Sequence, residues 1–169
     1  MVKATTWILV CDASRARLLR ADDQRKGLVQ LEALEHPESR ARARDLMADA
    51  QGRKPVGPVP ASAGHGGHGG GLGGQGGAYG RPGAEPDTDP KEVEAQKFAR
   101  ELADVIEKGF DDHAYDRLFL IAPPHFLGLL RGAVSTRVQR QIQLTIDKDL
   151  THEDLDQLGQ RLEEPLSAD

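Results

Sequence analysis

The sequence predicts an α/β fold in a single domain: a mixed five-stranded sheet, antiparallel through its first three strands and parallel beyond, with flanking helices. Three observations predict it. Thr5 to Cys11 (TTWILVC) is apolar and β-branched, as a buried strand is. Tyr115 to Ala122 (YDRLFLIA) is a continuous apolar run of the type buried on both faces of a partly parallel sheet. Between them, Asp89-Pro90-Lys91-Glu92 places a capping acceptor, a proline at the first helical position and a glutamate at the third.

In chain order, Asp12-Ala13-Ser14 reads as a turn, because Asp and Ser side chains bond nearby backbone groups. Arg15 to Ala21 follows as a half-buried strand. Asp22 to Gly27 is a second polar turn, and Leu28 to Leu34 a third strand with Val29, Leu31 and Ala33 on one face. Pro37 stops this meander. The capped helix runs to about Lys108, with Val93, Phe98, Leu102, Val105 and Ile106 on one face. Gly109 is expected to end it in the left-handed conformation. After the second apolar strand, Pro123-Pro124-His125 leads into a short helix over Phe126 to Arg131 and a further helical piece through Val138. Gln141 to Asp147 alternates as a fifth strand, and Thr151 is expected to cap a last helix with Leu155, Leu158 and Leu162 inward.

The chain has 169 residues, enough for one core of ordinary size. A net charge of −5 argues against wholesale coating of nucleic acid, so any RNA contact must come from a local basic patch. One cysteine excludes an internal disulfide and suits a reducing compartment. No signal peptide and no membrane span are expected, which makes the cytoplasm the expected location.

Two segments interrupt the periodic pattern. Glu38 to Lys54 carries Arg40, Arg42, Arg44, Arg53 and Lys54 against Glu38, Asp45 and Asp49. These cations are the candidate RNA-binding residues, although such a run is also what a solvated connector looks like. Residues 55–88 then form a Pro/Gly-rich insertion, expected to be a flexible loop; Gly64 to Gly83 holds 12 glycines in 20 residues. A loop this long is functional or disordered.

The element order and CDASRAR, LEALEHPESRARARDL, FAREL and LIAPPHFLG, taken together, resemble a known family: the small bacterial proteins required for attachment to host cells. That family in turn resembles the middle, catalytic domain of archaeal and eukaryotic class-1 peptide-chain release factors and of Pelota. The resemblance implies a ribonuclease-H-like sheet with a long glycine loop. It further implies that Gly73, Gly74 and Gln75 match the Gly-Gly-Gln that hydrolyses peptidyl-tRNA on the ribosome. Two glycines let the backbone approach an ester closely, and the glutamine N–H can stabilise developing oxyanion charge. Here Gln75 has glycine on both sides and Arg81 is the nearest cation, unlike the basic and small polar flanks of the release-factor loop. The partners so implied are the ribosome or tRNA, with no DNA, no membrane and no cofactor. The alternative is a non-catalytic RNA- or protein-binding module with an indirect role in attachment.

Other constellations are weaker. His65 and His68 lack cysteine or carboxylate partners for a structural metal site. Asp12, Asp116 and Asp147 lie near strand ends, but Asp116 starts its strand, so the three are expected to lie too far apart for nuclease chemistry. His125 follows a parallel strand, where open α/β sheets place ligands. Cys11 and Trp7 read as core.

Overall fold

The computed structural model describes residues 3–22, 27–40 and 89–168. Strands β1 (Thr6–Cys11), β2 (Arg15–Asp22) and β3 (Gly27–Glu35) form an antiparallel meander. Helix α1 (Pro90–Asp111) leads to β4 (Arg117–Ile121), which pairs parallel with β1. Helices α2 (Pro124–Ala133) and α3 (Thr136–Gln139) lead to β5 (Ile142–Ile146), parallel to β4, and α4 (Leu155–Ser167) closes the chain. The sheet order is β3-β2-β1-β4-β5. The expected mixed five-stranded α/β domain is the fold observed.

Two apolar layers hold it together. Because strand side chains alternate, Trp7, Leu9, Leu118 and Leu120 face one side and Ile8, Val10, Phe119 and Ile121 the other. Phe98, Leu102 and Ile106 of α1, Phe126 and Leu130 of α2, and Val138 of α3 cover the first side. Leu158 and Leu162 of α4, with Leu150, cover the second. Helices therefore lie on both faces, in three layers. Burial of each such large side chain contributes about 1.5–3 kcal/mol.

Four local expectations are corrected. On β3, Leu18 pairs with Glu32 and Leu19 with Gln30, so Leu31 is the extra residue of a β-bulge. The bulge reverses which residues face inward. Leu28 and Leu34 pack on opposite core layers, while Leu31 is 42 % exposed. Gly109 does not end α1; it lies buried inside the helix, where the Trp7 ring crosses it. The left-handed residue is His113, with φ 55°. Bonds from His113 N to Phe110 O (3.0 Å) and from Ala114 N to Gly109 O (2.8 Å) complete a Schellman motif around it. The short helix expected from Phe126 begins two residues earlier, because Pro124 can take the first helical position. Finally, Asp154 rather than Thr151 caps α4, in a reciprocal capping box with Gln157.

Candidate functional site

The parallel strands β1, β4 and β5 end at one pole of the domain, and β3 points the same way. The N-terminus of α1 returns there, because α1 must run back along the sheet to feed β4. Chain leaves the end of β1 toward β2 and the end of β4 toward β5. The strand ends between β1 and β4 are therefore the topological switch point, the position at which open α/β sheets bind ligands. The chain between residues 40 and 89 starts and finishes at this pole.

Its two flanks are joined by a buried polar pair. His36 Nε2 lies 2.8 Å from Glu94 Oε2, and both side chains are nearly inaccessible. The imidazole stacks on Phe98 at 5.4 Å between centroids, and its Nδ1 lies 3.7 Å from both Glu38 and Glu101. Glu94 also meets Lys97 at 3.4 Å. Neither His36 nor Glu94 was singled out as functional from sequence. The legible signal was a charged residue four positions before Phe98, inside the apolar stripe of α1.

The β1–β2 turn braces the same pole. Asp12 Oδ1 accepts from Ser14 N (2.8 Å), Ser14 Oγ (3.0 Å) and Arg15 N (2.9 Å), the turn chemistry expected of it. The turn then holds the end of β3, through His36 N to Ser14 O (2.8 Å) and Ser39 Oγ to Ala13 O (3.0 Å). On its other side, Thr151 Oγ1 donates to Asp149 Oδ1 at 2.6 Å and lies 3.3 Å from Asp12 Oδ2. Burial alone would raise the Asp149 pKa, but the Thr151 hydrogen bonds and the charges of His152 and Arg15 hold it below the usual value. Cys11 is fully buried, and desolvation, then the charges of Asp12 and Asp149, push its thiol pKa far up. It is an inert core thiol, as expected.

His125 also reaches α1: its Nε2 lies 2.6 Å from Glu92 Oε2, on an open surface. The three strand-end acids do not converge. Asp116 sits at the opposite pole, accepting from Thr5 N at 2.8 Å, while Asp12 is committed to its turn. Among the described residues no group of three His, Cys, Asp or Glu side chains is placed to hold a metal.

Of the candidate RNA-binding residues, Arg40 is half exposed and 3.8 Å from Glu35. Arg42, Arg44, Arg53 and Lys54, the Gly73-Gly74-Gln75 triplet, and His65 and His68 lie outside the described residues. Among the described residues no helix is long and apolar enough to cross a membrane.

Comparison with curated proteins gives no match. A protein family matches residues 7–162, which span every described strand apart from the first residue of β1, together with the first eight of the 13 residues of α4. The chain therefore belongs to the family described as "Protein required for attachment to host cells".

Proposed function

We propose that this protein is an RNA-directed accessory of translation, binding the ribosome or tRNA. In this reading it presents the segment between residues 40 and 89 to that partner. The observation that carries the reading is the His36–Glu94 bond, which ties both ends of the segment to the strand-end pole. A long insertion anchored there is what the resemblance to the release-factor middle domain leads one to look for. The anchoring pole itself is rich in carboxylates, with Asp12, Glu35, Glu38, Glu92, Glu94 and Asp149. In that acidic setting Arg40, Arg42, Arg44, Arg53 and Lys54, with Arg81 farther along, are the cations available to the segment for phosphate contact.

The finer form of the proposal is peptidyl-tRNA ester hydrolysis by Gly73-Gly74-Gln75. Co-sedimentation with ribosomes tests the binding, and peptide release from ribosome-bound peptidyl-tRNA tests the chemistry. Binding lost on charge reversal of Arg40, Arg42 and Arg44 supports the first. Release lost in Gln75→Ala and Gly74→Ala supports the second. Equal release by all three proteins rejects catalysis by the triplet, and absence of ribosome or tRNA binding rejects the whole reading. Binding without release is the outcome expected of a non-catalytic module, whose effect on attachment would be indirect.

A further inference from the structure

From Arg117 to Ile146 the chain carries four arginines and no aspartate or glutamate, in a protein of net charge −5. This run builds β4, α2, α3 and β5. Two of its arginines are already engaged. Arg117 donates to Thr6 Oγ1 and to Ala168 O, both at 2.9 Å. Arg137 lies over the Phe110 ring at 5.3 Å and pairs with Asp111 (3.1 Å) and Glu107 (3.4 Å). Arg131 and Arg140 differ: both are exposed, and among the described residues neither guanidinium has a carboxylate partner.

A side-chain bond ties the stretch before Arg140 to the residue Arg131 itself. Gln139 Nε2 donates to Arg131 O (3.1 Å) and Val134 O (3.3 Å), which draws α3 and the following Arg140 back onto the end of α2. Thr136 of α3 and Gln143 and Thr145 of β5 are also exposed, all uncharged and able to donate hydrogen bonds. Leu31, the exposed large apolar residue among those described, sits on β3 at the opposite edge of the sheet from β5. The α2–α3–β5 face therefore offers unneutralised positive charge and hydrogen-bond donors, with no apolar anchor.

We propose that this face, through Arg131 and Arg140, is a contact surface for the phosphate backbone of RNA. Guanidinium forks match phosphate oxygens, and hydroxyl and amide side chains donate to phosphate and sugar. A protein-docking surface is centred on aromatic or aliphatic anchors, and a membrane-binding face needs apolar side chains beside its cations. This face has neither. The inference rests on the RNA-directed reading above and places a second contact on the folded body, apart from the segment between residues 40 and 89.

The test is fluorescence anisotropy of labelled bulk tRNA with the full-length protein across a salt series. Wild type is compared with the R131Q/R140Q and R40E/R42E/R44E variants. Each phosphate contact contributes about 0.7–0.9 to the slope of log affinity against log salt, so R131Q/R140Q should lower the slope by about 1.4–1.8. It should also weaken binding at least about tenfold at about 0.1 M salt. The thermal midpoint should not move, because both side chains are exposed. Unchanged slope and affinity in R131Q/R140Q, with binding lost in R40E/R42E/R44E, overturns this surface and leaves the RNA reading standing. No binding of tRNA or ribosomes by wild type at low salt overturns both. Phosphatidylglycerol vesicles that displace tRNA through the same two arginines would overturn the assignment to RNA.

Discussion

His36 Nε2 and Glu94 Oε2 meet at 2.8 Å, both buried, across 58 positions of sequence. The bond joins the residue after β3 to the second turn of α1, and so fixes the two flanks of the longest insertion in the chain. Glu94→Ala strips a buried imidazole of its partner, for which the loss is about 3 kcal/mol. Glu94→Gln keeps an acceptor oxygen and should cost less than half as much. Urea unfolding measures both, and a loss under about 0.5 kcal/mol for the alanine variant would mean that the pair does not hold the pole. Hydrogen exchange should quicken first at residues 36–40 and 89–97.

Gly109 is the second anchor. A Cβ there would fall inside contact distance of Cζ3 and Cη2 of Trp7, a ring packed 4.9 Å from Tyr115 and not free to swing away. Alanine raises helix propensity by about 1 kcal/mol, but overpacking costs about 1–3 kcal/mol and should win. Gly109→Ala is expected to lower the thermal midpoint and shift tryptophan fluorescence. Trp7→Phe in the same chain should recover part of the loss, and strict additivity of the two changes would contradict the contact.

Glu107, like Asp149, makes the fold acid-sensitive. Burial tends to raise its pKa, but the Ser135 N–H at 2.6 Å and Arg137 at 3.4 Å outweigh that and hold it below the ordinary 4.5. A carboxyl depressed in the folded state stabilises fully above its unfolded pKa and loses that contribution as pH falls through the folded value. Glu107→Gln should therefore be less stable than wild type at neutral pH, with the gap closing as pH drops below 4.5. A gap constant from pH 7 to pH 3 would refute this, measured as urea midpoints along the pH series.

His113 occupies the left-handed region, φ 55°, with its Nδ1 3.0 Å from Asp111 O on an exposed surface. Glycine adopts that conformation without the Cβ penalty of about 1 kcal/mol. His113→Gly should raise the thermal midpoint slightly and His113→Val should lower it. The reverse order would show that the side-chain bond outweighs the backbone strain.

What could be read in advance followed short-range rules. The central strands β1 and β4 stand out because residues buried on both faces must all be apolar. The cap at Asp89 and the turn at Asp12 declare themselves because their acceptor side chains act on backbone two or three residues away. The faces of β3 were not legible: a bulge is settled by how β3 meets β2, and one extra residue inverts the alternation. Gly109 looked like a helix end because a glycine next to Lys108 fits that role, and only the approach of Trp7, a hundred residues earlier, gives it another.

The sequence by itself determined the order of strands and helices on either side of the insertion, because hydrophobic period and capping chemistry act locally. Only the tertiary structure decided that His36 closes on Glu94 and that Arg131 and Arg140 are left exposed, without carboxylate partners among the described residues. Both depend on distances between elements, which no pattern along the chain encodes.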